Sequence, residues 1–214
     1  MNLNSLVIKN GSVYKNGKFT ICDIKIENGI ITEIGNDLDA VEIIEADGKL
    51  ITSSFIDAHV HLREPGYTDK EDIKSGTYSA VKGGYSHIMA MPNTNPTMDN
   101  YDLISYFNEM CEEKAYCHVL PFCAISKGLK GEELVEIEKI SELNIAGFSD
   151  DGVGVQTKEM MLEAMQRVKK TKHLMSLHCE DVEELKPVMG SMNLGKQSEL
   201  LGEVGINNAS EWKM

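Results

Sequence analysis

The stretch Phe55-Ile-Asp-Ala-His-Val-His-Leu-Arg-Glu-Pro-Gly66 places two histidines, His59 and His61, at the end of an apolar segment. Arg63 follows two positions on, and a Pro-Gly turn follows that. In a β-strand, residues i and i+2 face the same side, so both imidazoles converge on one spot. Two convergent imidazoles suit a divalent metal of borderline softness better than a packing role. Arg63 then offers a planar guanidinium fork to a nearby carboxylate. These residues read as a metal-dependent enzyme acting on a small acid.

Three further groups carry chemistry: Met91-Pro-Asn-Thr-Asn-Pro96, Phe148-Ser-Asp-Asp-Gly152 and His178-Cys-Glu-Asp181. Two histidines from one strand, a carboxylate and a third histidine can hold two divalent ions, with the carboxylate bridging. Such a pair lowers the pKa of a shared water to about neutrality and polarises the carbonyl under attack. The implied chemistry is hydrolysis, or its reverse, at an amide-like carbon. Taken singly, each group has a plainer reading: Asp150-Asp151-Gly152 as a turn, Asn93 as a turn former, His178 as a hydrogen-bonded interior histidine. His87, His118 and His173 are read as structural.

For these groups to meet, the elements must bring distant segments to one end of a sheet. Alternating apolar residues flank Asn16-Gly17 and Asn28-Gly29 in residues 1–50. Asn-Gly pairs signal type I′ hairpins, and the segment reads as the N-terminal part of a small β-sandwich module. Residues 51–214 alternate strands (55–59, 86–91, 115–122, 145–148, 174–178) with helices (70–81, 100–114, 131–143, 157–170). Met160, Met161, Ala164, Met165 and Val168 form a stripe at helical spacing, read as core. Strand–helix alternation means right-handed βαβ units on a parallel sheet. The fold class is therefore α/β, an incomplete (β/α)8 barrel whose site lies at the carboxyl ends of its strands.

Composition narrows the class. Of 214 residues, 42% are hydrophobic and 26% charged, as in an ordinary globular chain. A net charge of -13 argues against a nucleic-acid surface. No apolar run approaches the ~18 residues of a membrane span, and the start lacks a secretory signal. Five scattered cysteines without a C-x-x-C pair read as reduced thiols in a cytoplasmic protein.

On these motifs, with Lys70-Glu-Asp-Ile-Lys-Ser-Gly-Thr77 and Gly83-Gly84 added, the whole chain resembles bacterial type I dihydroorotases of the amidohydrolase superfamily. The resemblance implies reversible conversion of N-carbamoyl-L-aspartate to L-dihydroorotate in pyrimidine synthesis. It implies two divalent ions, zinc by default, with His59 and His61 on one, His178 on the other and Asp151 bridging. Asp150 is the second candidate for that bridge. His61, Arg63 and Asn93 would bind substrate, with Arg63 and Asn93 on its carboxylate. The implied partners are this small acid, with a homodimer or a contact to aspartate transcarbamoylase as protein partners.

The same resemblance sets an expectation of truncation. Relatives are about twice as long and supply another zinc histidine from the sixth strand. They also supply from the eighth an aspartate that moves the proton. Only five βα units are countable here, so no catalytic residue is expected within the chain, and the chain alone is expected to be nearly inactive. Two alternatives stand beside this reading: a non-catalytic scaffold partner of aspartate transcarbamoylase, and an allantoinase- or hydantoinase-like hydrolase.

Overall fold

The structure, a computed structural model, describes residues 5–155 and 157–178. The chain divides into two units, Met1–Ser54 and a larger one beginning at Phe55. The part of the His178-Cys-Glu-Asp181 motif at Cys179–Asp181 lies outside the described residues.

In the first unit, β1 (Ser5–Lys15) pairs antiparallel with β2 (Lys18–Glu27), and β2 with β3 (Ile30–Gly35). Both hairpins turn on the Asn-Gly pairs, with positive φ at Asn16, Gly17, Asn28 and Gly29, as a two-residue type I′ turn requires. Two short strands, β4 (Glu42–Glu45) and β5 (Leu50–Ile51), add parallel to β1 and make the sheet mixed. The buried Asp23 carboxylate accepts from the backbone N–H groups of Asn10 and Leu38, tying a bulge of β1 to the loop after β3.

Among its described residues, the larger unit is a parallel sheet of five strands in the order β10-β9-β8-β7-β6. These are β6 (Phe55–Val60), β7 (Tyr85–Ala90), β8 (His118–Cys123), β9 (Gly147–Phe148) and β10 (Leu174–Met175). Sequential neighbours joined by helices give every strand the same direction, so all carboxyl ends lie on one side. The helices are α1 (Ile73–Lys82), α2 (Tyr101–Lys114), α3 (Ile137–Ile140) and α4 (Lys158–Thr171). None among the described residues is long and apolar enough to cross a membrane.

Alternation along the strands sorts the core into two faces. Ile88, Ala90 and Val119 pack with Ile73, Ile104 and Phe107 in the helix-side core. Met89, Met91, Leu120, Phe122 and Ala146 gather in a second cluster. Both faces of the sheet are thus apolar, as a parallel barrel sheet requires.

The structure departs from the sequence expectations at several points. The helix expected over 131–143 is reduced to the single turn Ile137–Ile140. Residues 133–135 instead double back along the end of β8, where Val135 N–H donates to Ile125 and Lys127 N–H to Glu133. The buried side chains there, Val135 and Ile137, keep a period of two, which favours extended backbone over helix. Helix α1 starts three residues late because Asp72 caps it in a box with Ser75. On α4, Met161, Ala164 and Val168 are buried, while Met165 is about half exposed. Strands β9 and β10 have two residues each rather than four or five, so His178 stands beyond its strand. His118 opens β8 rather than lying mid-strand, and its ring stacks on that of His87 across the ladder at 4.7 Å.

Glu64, in the loop after β6, joins three elements. Its carboxylate accepts from the Ile73 N–H at the start of α1 and from Lys114 Nζ at the end of α2, at 3.0 and 2.6 Å. That contact raises the Lys114 pKa above its usual value. A raised lysine pKa contributes stability below the unfolded value of 10.5, and the contribution is lost as pH climbs through the folded value. Lys114→Met should therefore lower stability at pH 7 by about 1 kcal/mol, a modest figure because the lysine remains partly solvated. Urea unfolding at pH 7 and again at a pH above the raised folded value checks this, since the gap between the two proteins should narrow at the higher pH.

Candidate metal centre

Strand β6 delivers His59 near its carboxyl end and His61 one residue beyond it. The rings lie 5.2 Å apart, centroid to centroid, at a steep angle. Both Nε2 atoms face the carboxylate of Asp151, three residues past the end of β9. His59 Nε2 is 3.5 Å from Oδ1, and His61 Nε2 is 3.6 Å from Oδ2. From beyond β10, His178 brings Nδ1 to 3.7 Å from Oδ1. Strands separated by nearly the whole unit thus aim three imidazoles at one carboxylate that is only 8% exposed.

Asn93, in the loop after β7, completes the arrangement. Its Nδ2 donates to Asp151 Oδ2 at 2.8 Å, so its Oδ1 is left to face His61 Nδ1 at 2.9 Å. An amide oxygen can only accept, which puts the proton on His61 Nδ1 and leaves a lone pair on Nε2. Arg63 Nη1 donates to the same Oδ1 at 3.5 Å. Expected from the sequence as a substrate ligand, Asn93 here also ties His61 to Asp151 through its amide.

The geometry fits a divalent cation. Imidazole nitrogens that face a carboxylate from 3.5–3.7 Å are too far for good hydrogen bonds. Two ligands at about 2.05 Å from a tetrahedral ion lie about 3.3 Å apart, close to the separations seen. His59, His61 and Asp151 each offer a ligand atom, and these atoms all fall within 4.8 Å of one another.

Asp151, the first candidate for the bridge, and Asp150, the second, have different surroundings. Asp150 is 1% exposed, and its carboxylate turns to β8, accepting from the N–H groups of Ile125 and Ser126 and from the Ser126 hydroxyl. Burial pushes its pKa up, while those donors pull it down. No motif in the sequence points to Ser126, because a lone serine after a strand carries no chemical signature. Two buried cysteines are chemically quiet: burial drives the Cys111 thiol up to about 12 and Cys123 well above its ordinary value.

Two loops zip together beneath Arg63. Asn95 N–H donates to the Pro65 carbonyl at 3.0 Å, and Gly66 abuts Asn95 with φ +95. A Cβ at Gly66 would lie 2.8 Å from the Asn95 carbonyl carbon, and only glycine adopts that φ without strain. Gly66→Ala should lower stability by about 2 kcal/mol or more, read as a fall in the urea midpoint. An unchanged midpoint would show that the loops are not locked there.

Residues 48–188 match a family model described as Dihydro-orotase-like. The dihydroorotase of Staphylococcus epidermidis is 42% identical over 209 residues, covering 96% of this chain and 49% of that protein. That of Geobacillus sp. is 45% identical over 181 residues, 83% of this chain and 42% of that protein. The chain spans about half the length, or less, of these curated relatives. Among solved structures, L-hydantoinase (dihydropyrimidinase) from Arthrobacter aurescens matches with a TM-score of 0.76 at 18% identity, over 94% of this chain and 51% of that one. A crystal structure of a dihydroorotase matches with a TM-score of 0.58 at 15% identity, over 83% of this chain and 52% of that one. At such identities the likeness speaks for fold alone, and the fold is part of a (β/α)8 barrel. By the family model and the sequence identities together, this chain belongs to the dihydroorotase-like family.

Proposed function

We propose that this chain carries the metal-binding and carboxylate-binding end of a dihydroorotase, which interconverts N-carbamoyl-L-aspartate and L-dihydroorotate. The observation that carries the reading is the convergence of His59, His61 and His178 on Asp151, with Arg63 one contact away through Asn93. In this reading His59, His61, His178 and Asp151 hold two divalent ions. Zinc is the proposed metal, since imidazole and carboxylate ligands suit its borderline character. Ions held there supply Lewis acidity to a ring carbonyl and lower the pKa of water.

The chain's own residues would then do the binding and orienting. Arg63 presents a bidentate fork to the substrate carboxylate, a group that dihydroorotate has and simple hydantoins lack. Its positive φ of 59 turns the backbone sharply after β6, next to the Asn93 loop. Asn93, bonded to both His61 and Asp151, keeps the carboxylate pocket in register with the metal ligands. None of the described residues is assigned the proton transfer.

Metal analysis of the 214-residue chain after zinc loading and gel filtration tests the ion assignment. At least one equivalent should be retained by the wild type, and His61→Ala or Asp151→Asn should lose most of it. Full retention by both variants would remove the centre from these residues. Arg63→Met should keep the metal while weakening dihydroorotate binding at least tenfold in calorimetry, in line with ~1.5–3 kcal/mol for a hydrogen bond to a charged group. Equal loss of metal and ligand would mean that Arg63 acts structurally.

A further inference from the structure

Strand β9 is too short to fix the direction of Asp151 by its own ladder. Only Gly147 and Phe148 pair with β8, flanked by backbone bonds from Ala146 N–H to the Pro121 carbonyl at 2.9 Å and from Ser149 N–H to the Cys123 carbonyl at 2.8 Å. Beyond that the chain turns away, with Val153 and Gly154 N–H groups donating to the Asp150 carbonyl. Asp151 lies inside this turn, outside any strand.

A side chain takes over at that point. Asp150 Oδ1 accepts from Ile125 N–H at 2.7 Å and Ser126 N–H at 3.0 Å, the two residues after Ala124 where β8 has ended. Its Oδ2 accepts from the Ser126 hydroxyl, whose oxygen in turn accepts from Gly131 N–H at 2.8 Å. Ile125 and Ser126 are fully buried, so these donors have no water to turn to. A carboxylate, an acceptor at every lone pair, matches three convergent donors better than an amide does.

We propose that Asp150 is a positioning residue that pins the carboxyl end of β9 to that of β8 and thereby sets the direction of Asp151 toward the imidazoles. With its carboxylate held against β8 and its carbonyl held by the Val153 and Gly154 N–H groups, Asp150 fixes the backbone from which the adjacent Asp151 side chain projects. Metal ligands tolerate displacements of only about 0.2 Å, and loss of a group that orients a ligand typically costs 10–100-fold in affinity. This role of Asp150 rests on the proposed metal centre.

The test is chelator competition for the zinc dissociation constant, with far-UV circular dichroism, on wild type, Asp150→Asn and Ser126→Ala of the 214-residue chain. Expected is a Kd at least tenfold weaker in Asp150→Asn with an unchanged spectrum. A smaller loss in that folded variant overturns the proposal, since a purely structural tie would lower the melting point and leave the Kd alone. If Asp150→Asn lacks a folded spectrum, Ser126→Ala decides: at least threefold weaker binding supports the proposal, and less overturns it. A wild type that binds no zinc overturns the metal centre itself, and the positioning role with it.

Discussion

A nearly buried carboxylate faced by three imidazoles is the constraint on which this structure turns. Asp151 accepts one short bond, from Asn93, and otherwise meets nitrogen atoms at 3.5–3.7 Å. Such a set of lone pairs is comfortable only around positive charge, whether protons or metal ions. The arrangement has little value for packing, since apolar side chains would fill the same space without the electrostatic cost. Its chemistry is therefore the reason for the positions of its members.

Holding it requires that strands distant in sequence end at the same level. The β10-β9-β8-β7-β6 order does so with consecutive βαβ units, whose shared direction puts the loops after β6, β7, β9 and β10 at one end. Each loop that matters is tied by a polar side chain or a glycine contact. Glu64 anchors the β6 loop to α1 and α2, Gly66 seats it against the β7 loop, and Asp150 fastens the β9 end to β8.

The parts legible in the sequence are those whose signal is local. The Asn-Gly turns, the period-two strands, the capped helices α1 and α2 and the amphipathic α4 arise from propensity and pattern within a dozen residues. The segment 131–143 resists such reading because its charged residues favour helix while Val135 and Ile137 are claimed by the end of β8, a non-local partner. Met165 sits at a core spacing on α4, yet spacing alone does not say how wide the covered face is.

The motif at His59, His61 and Arg63 is a property of the sequence, because alternation in a strand sends residues i and i+2 to one face whatever surrounds them. The barrel class is likewise a consequence of strand and helix order. The choice between Asp150 and Asp151 is not, since neighbours of identical chemistry differ only in what the fold places beside each. Buried donors on Ile125 and Ser126 take the first, and three imidazoles face the second. Ser126, Gly66 and the double engagement of Asn93 belong to the same category: their roles arise from groups distant along the chain, and only the packed structure brings those groups within reach.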